Sequence, residues 1–218
     1  MPDQTFQRSI PHVSPSHFQE ESTEKLQQYI RDYSFGVLVV ADSQGIDVNH
    51  LPFHFSQNDE HALGIHRCHV ARINPVWKRI EAGAHVMAVF KGPDAYVSPS
   101  WYETKAETGR VVPTWNYLAV HADGQASIFQ EDGWLRNHLD QLTDLNEAER
   151  EPPWSVEDAP SEFTSRLVKA IVGIEFRIEA LKGQVKASQN HPERNRIGVK
   201  AGLAEGSDTD VAMSRFVE

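Results

Sequence analysis

Apolar positions in the first half of the chain change rhythm several times, and each change marks an element. Leu26, Tyr29, Ile30 and Tyr33 fall at helical spacing within Glu20 to Tyr33, which predicts an amphipathic helix with Ser16 as its candidate N-cap. Phe35 to Ala41 (FGVLVVA) is a short β-branched run, Asp42-Ser43-Gln44-Gly45 is turn chemistry, and Ile46 to Phe55 continues extended through Pro52. The pattern predicts a hairpin whose second strand meets its proline at an edge or bulge, because proline cannot donate to a central ladder. Ala62 to Cys68 predicts a third strand, Val70 to Glu81 a short helix stopped by Gly83, and Ala84 to Lys91 a fourth strand. Residues 92–112 form a long polar connection with Pro93, Pro99 and Gly109, a length that inside a domain usually serves function. Pro113 to Phe129 then reads as one long strand bent near Gly124.

The second half mixes both periods. Trp134, Leu135, His138, Leu139 and Leu142 make a helical stripe, prolines between 152 and 160 make a joint, and Phe163, Leu167, Ala170 and Ile171 mark another helix. Ile174, Phe176 and Ile178 alternate with Glu175, Arg177 and Glu179, the signature of a half-buried strand over Val172 to Leu181. Val185 to Ser188 is expected as its hairpin mate across Lys182-Gly183, residues 192–204 as a helix, and the Gly/Ser/Asp-rich segment 206–218 as a mobile tail. Six or seven strands with helices around them, in no regular βαβ alternation, imply an α+β chain: a mainly β antiparallel barrel with appended helices. The expected organisation is an extended arm over 1–15, a barrel core with its N-terminal helix over 16–130, and a segment of the same domain over 131–205 that supplies helices and closing strands.

Composition narrows the setting. With 39% apolar and 24% charged residues in 218, the chain can bury a core and is neither disordered nor fibrous. One cysteine, Cys68, excludes an intramolecular disulfide and a multi-thiolate metal site, and points to a reducing compartment or to indifference about redox. The polar Met1 to Ile10 has no apolar leader core, and no stretch approaches the ~18 apolar residues of a membrane span, so the cytoplasm is the expected location. A net charge of -10, from 21 basic and 31 acidic residues, disfavours direct DNA binding, since affinity for a phosphate backbone comes from displaced counterions. The densest basic stretch, Lys186 to Lys200, is interrupted by acidic and polar residues.

Three places carry candidate chemistry. His61, His66 and His69 cluster around the third strand, yet His66 and His69 project to opposite faces of a continuous strand, so no metal site is expected there. His69-Val70-Ala71-Arg72-Ile73-Asn74-Pro75-Val76-Trp77 places a strand end and a helical turn beside an arginine and a histidine, which suits a phosphate. Equally, Arg72 would cap or pair on the surface while Trp77 plugs the core. Tyr96-Val97-Ser98-Pro99-Ser100-Trp101-Tyr102, Lys105 and Val112-Pro113-Thr114-Trp115-Asn116-Tyr117 gather aromatic rings and hydrogen-bonding groups around one loop. That inventory fits a planar polar heterocycle, and it fits core or dimer packing as well. Cys68 beside His69 is no nucleophile pair, because neighbours in a strand face opposite ways.

Read together, LPFHF (51–55), HVARINPVW (69–77), FKGPDAYVSPSWY (90–102), VVPTWNYLAVHADG (111–124), AIVGIEF (170–176) and KASQN (186–190) resemble the PaiB family over about Val13 to Leu203. The resemblance implies an antiparallel split barrel that binds flavin mononucleotide (FMN) at the interface of a homodimer, with a role as a negative transcriptional regulator. It also admits a small flavin-dependent oxidoreductase or a haem-handling relative. By position it implies that Asn49, His50 and Leu51 border the isoalloxazine ring and that His66, His69 and Arg72 stand where phosphate ligands belong. Lys105, Thr114, Trp115 and Asn116 would complete the pocket, some from the partner subunit. Family members commonly carry a glycine where Cys68 stands, so a side chain here would narrow the approach to the phosphate.

Overall fold

A computed structural model describes residues 15–218; most of the expected N-terminal arm lies outside the described residues. The strands are β1 (Gln19–Glu20), β2 (Phe35–Asp42), β3 (Gly45–Pro52), β4 (His54–Asn58), β5 (His61–Ala71), β6 (His85–Val97), β7 (Thr114–Phe129) and β8 (Ile171–Lys186). They form one eight-stranded antiparallel sheet in the order β3-β2-β6-β7-β8-β5-β4, with β1 beside β8. The sheet curls so that β3 and β5 approach without sharing a ladder, leaving a seam between them. The helices are α1 (Thr23–Asp32), α2 (Val76–Glu81), α3 (Lys105–Thr108), α4 (Asp132–Glu147), α5 (Ser161–Lys169), α6 (Glu193–Ala204) and α7 (Asp208–Ser214). Among the described residues no helix is long and apolar enough to cross a membrane.

Alternation sets the inside of the barrel. Leu38 and Val40 of β2, Phe90 of β6, Leu118 and Val120 of β7 and Ile174 and Phe176 of β8 all point into one core with Phe53. Burying each such side chain is worth about 1.5–3 kcal/mol, so the period-2 pattern is what pins the register. The bend expected near Gly124 is a bulge, where the β7–β8 register shifts between Asp123 and Gly124.

Several boundaries move for physical reasons. Helix α1 is capped by Ser22, which accepts from Lys25 N at 3.3 Å, and not by Ser16, which opens a short 3-10 turn. Val70 and Ala71 stay in β5, because Pro75 favours extended backbone before it and starts the helix after it. The expected hairpin at Lys182-Gly183 does not exist. β8 runs unbroken for 16 residues, and Gly183 is there for packing: a Cβ on it would stand 2.1 Å from Leu26 Cδ2.

The segment expected as a mobile tail is instead helix α7. Ser207 and Asp210 form a reciprocal capping box, and Met213 and Val217 are buried in a second core with Ala95, Val97, Tyr102, Val199 and Leu203. The polar residues that read as a tail are a helix start.

Candidate functional site

The seam between β3 and β5 brings together two of the segments singled out in the sequence. Edge strand β3 pairs only with β2, so one side of its backbone carries no ladder. Asn49 faces the seam and accepts from Asn74 Nδ2 at 2.7 Å, while its own Nδ2 donates to Asp47 at 2.8 Å. Asn74 Oδ1 in turn accepts from Val76 N at 3.0 Å, fixing the entry to α2. His50 points to the outer, exposed face and Leu51 back onto the barrel core. Arg72 sits at the end of β5, its guanidinium donating to Lys169 O at 2.8 Å, Gln130 Oε1 at 2.6 Å and Ile171 O at 2.9 Å. These acceptors are neutral, so they orient the side chain, and no ion pair meets its charge among the described residues. Trp77 Nε1 donates to Arg72 O at 3.1 Å, which ties the helix to the same junction.

Two of the expected phosphate ligands lie elsewhere. His66 is buried in the barrel among Phe53, Phe55, Phe90 and Phe176, neither ring nitrogen finds a partner among the described residues, and desolvation drives its pKa down to about 3. A neutral ring sealed in apolar surroundings cannot hold a phosphate. His69 faces the opposite side of β5, where its Nδ1 lies 3.1 Å from His138 Nε2 under α4; burial lowers its pKa. Trp134 stacks on Phe129 at 4.6 Å and over Gly173, closing α4 onto that pair. Cys68 faces the core with His66, fully buried, and desolvation pushes its thiol pKa up; it does not reach the Arg72 junction.

The aromatic loop builds a second place. Thr114 and Asn116, at the start of β7, line a cleft of about 480 Å³ together with Tyr102, Arg110, Lys186, Ser188 and His191. Asn116 Nδ2 donates to Ser188 Oγ at 2.9 Å, and Lys186 Nζ donates to Thr114 Oγ1. Tyr102 and His191 stack with ring centroids 4.7 Å apart. Helix α6 closes the cleft because Gly198 and Gly202 let it lie directly on Trp101; a Cβ at Gly202 would stand 2.3 Å from the indole. One turn earlier Asn195 holds Thr104 by two bonds, at 3.1 and 2.9 Å. Lys105 is not in the lining; it is exposed on α3, with Nζ 3.3 Å from Ser100 Oγ. Trp115 is 54% exposed and packs edge-on against Tyr96.

Within one chain the seam and the cleft stand apart. Asn49 is in register with Leu38, Ala88 and Ala122 across the sheet, and Thr114 lies further along β7 by roughly 26 Å at about 3.3 Å per residue. Sequence reading grouped Tyr102 with Thr114 and Asn116 around one loop but missed Lys186, Arg110 and His191 as their neighbours. The available signal was KASQN directly following an alternating strand, which places Lys186 at the strand end.

A family profile described as "Putative FMN-binding domain" matches residues 13–180. The chain is 32% identical to the Bacillus subtilis "Protease synthase and sporulation protein PAI 2" over 185 residues, 85% of this chain and 86% of that protein. It is 33% identical to the uncharacterized protein AN0679 of Emericella nidulans over 227 residues, 88% and 90% of the two chains. Among solved structures it is similar in fold to the flavocytochrome Anf3 of Azotobacter vinelandii (TM-score 0.60, 12% identity, 85% of this chain and 78% of that one). The FAD- and haem-binding protein of Mycobacterium smegmatis is similar in the same sense (TM-score 0.57, 15% identity, 89% and 78%). With its curled antiparallel sheet, open β3–β5 seam and a sequence match along most of its length, the chain belongs to the PaiB family of split-barrel proteins, and its cofactor is FMN.

Proposed function

We propose that the chain works in the cytoplasm as an FMN-loaded homodimer that holds its flavin at the β3–β5 seam. Its output as a negative regulator of transcription would then follow the state of that flavin and not a grip on DNA. The observation that carries the reading is the surface beside the seam. Ile46 and Val48 of β3 are 72% and 53% exposed, and Ile73 at the junction is 92% exposed. Their rows continue across the outer face of the sheet through Val39 and Met87, then Val37 and Val89 beside His50. An apolar sheet face of this kind is costly in water and fits a second copy of the same face.

The donor set at the seam suits the cofactor. The unladdered edge at Asn49, His50 and Leu51 offers backbone donors and acceptors to the polar edge of a planar ring, and Asn74 locks Asn49 in place. Arg72, oriented by neutral acceptors, contributes positive charge toward a phosphate. When bound, FMN supplies hydride or single-electron transfer; the protein's part is to orient it and to keep water from its face.

The test is sedimentation equilibrium with absorbance at 450 nm after addition of FMN. The expected result is a flavin-bound dimer, converted by Ile46→Glu with Val48→Glu into a monomer with weakened flavin binding. A dimer untouched by both glutamates would refute the interface. At a net charge of -10, low-salt gel-shift titration should show no retardation of promoter fragments, and retardation would refute the indirect mode.

The basic cleft around Lys186 favours a second reading, an FMN-dependent oxidoreductase acting on an anionic small molecule. Oxidation of reduced nicotinamide by the loaded protein no faster than by free FMN would count against it.

A further inference from the structure

In a chain with ten more acidic than basic residues, the cleft between the start of β7, the end of β8 and α6 is lined by no carboxylate among the described residues. Seven of the chain's other cations have an acid beside them. Lys25, Arg67, Arg79, Lys91, Arg150, Arg177 and Arg194 each stand within 4.0 Å of an Asp or Glu. Lys186 instead donates to the neutral Thr114 hydroxyl and lies 5.7 Å from the centre of the Phe18 ring. Burial lowers its pKa, so it is a charge held partly out of water without a counter-ion. Arg110 lines the same cleft, and no ion pair involves it among the described residues. Tyr102 lines it too; the residue is 3% exposed, and its hydroxyl is a buried donor with no partner among the described residues.

A buried hydroxyl without a partner and a half-buried ammonium without a counter-ion are both destabilising, so both are expected to be met by something that binds. Ser188 adds a further sign. It is the one non-glycine with positive φ among the described residues, at 63°, and Asn116 holds it there. Backbone strain of this kind persists where a site over-determines it. Val111, Val112 and Pro113 add apolar surface to the lining.

We propose that this cleft is a phosphate-binding site for a phosphorylated small molecule with an apolar body, in which Lys186 and Arg110 take the charge and Tyr102 and Thr114 the hydrogen bonds. Within one chain it stands apart from the seam, and only the first of its two possible occupants rests on the flavin reading. The phosphate has two chemical sources: the FMN held by a partner copy, or a second phosphorylated ligand.

The experiment is ³¹P line broadening of inorganic phosphate by the full chain, stripped of FMN and loaded with it, with flavin content followed separately at 450 nm. Broadening is expected with the stripped protein, at least tenfold weaker with Lys186→Met and retained with Lys186→Arg. Arg110→Ala, on an exposed loop that makes no packing demand, should weaken it as well and guards against a folding defect in the first variant. Phosphate binding that vanishes on FMN loading identifies the flavin phosphate as the occupant, and binding that persists identifies a second ligand. No broadening by the wild-type chain, or equal broadening by a folded Lys186→Met, overturns the site. Flavin loading that fails while phosphate still binds condemns the seam and leaves the cleft standing.

Discussion

Asn116 and Ser188 bind each other twice, Nδ2 to Oγ at 2.9 Å and Oγ to Oδ1 at 3.3 Å, and neither is accessible to water. The pair ties the start of β7 to Ser188, two residues beyond the end of β8, so the walls of the Lys186 cleft keep a fixed separation.

Asn116→Leu should therefore leave the Ser188 hydroxyl buried and unpartnered, at a cost of about 1–3 kcal/mol in urea unfolding. Ser188→Gly removes the same bond but also relieves the left-handed backbone, and should cost less. Equal losses in the two variants would show that the strain is negligible.

Stability should fall with acid. An unfolded histidine takes its proton near pH 6.5, whereas His66 and His138, desolvated in the fold, do so at about pH 3. Between these values the unfolded chain holds protons that the folded chain refuses, so unfolding is favoured by up to about 1.4 kcal/mol per pH unit for each histidine. Above pH 6.5 both states are neutral and the effect is gone. His66→Phe, which places a fifth phenyl ring beside Phe53, Phe55, Phe90 and Phe176, should gain on the wild type at pH 5 relative to pH 8. Urea midpoints at the two pH values decide it, and an unchanged difference would mean that His66 is not held neutral.

The C-terminal helix should matter to the whole molecule. Met213 is fully buried, and Met213→Ala should cost about 2–5 kcal/mol. Removal of residues 206–218 should lower the melting temperature at least as much. A truncated chain that melts like the full one would show that α7 does not pack.

Gly202→Ala puts a methyl group 2.3 Å from the Trp101 ring, so the indole must move. Trp101 precedes Tyr102 and the Asn195-bound Thr104, and the loop should loosen with it. Faster proteolytic nicking within 102–113 is the expected readout, and an unchanged digestion pattern would count against close docking of α6.

Part of the barrel was legible from its apolar pattern: β2, the first half of β6 and the Ile174-Phe176-Ile178 stretch lie where that pattern puts them, whereas β6 runs on through Val97 into the segment that reads as a polar connection, because Asp94 to Val97 pair with Thr114 to Tyr117 of β7. The bend at Gly124 was visible from a glycine inside a strand pattern. What was not legible depends on partners distant in sequence. Lys182-Gly183 has turn chemistry, yet the ladder to Val120 and His121 and the contact with Leu26 keep it extended. Gly206-Ser207-Asp208 has the composition of a tail, yet Ser207 and Asp210 cap a helix whose apolar face joins a core with Ala95, Val97 and Tyr102 as well as Val199 and Leu203. His66 matched a motif position by register, but only the surrounding phenyl rings reveal that it faces inward. Lys186 escaped notice because nothing in one dimension says that no acid stands near it.

Strand β8 has β5 on one side and β7 on the other, with β1 at its far end, and its 16 residues span from the foot of the Arg72 junction to Lys186. A single residue inserted between Phe176 and Lys186 would turn every later side chain to the wrong face and carry Lys186 out of its cleft. Length changes are therefore confined to the ends of this rod, and any homologue that keeps the spacing from Ile174 to Lys186 keeps both places in step.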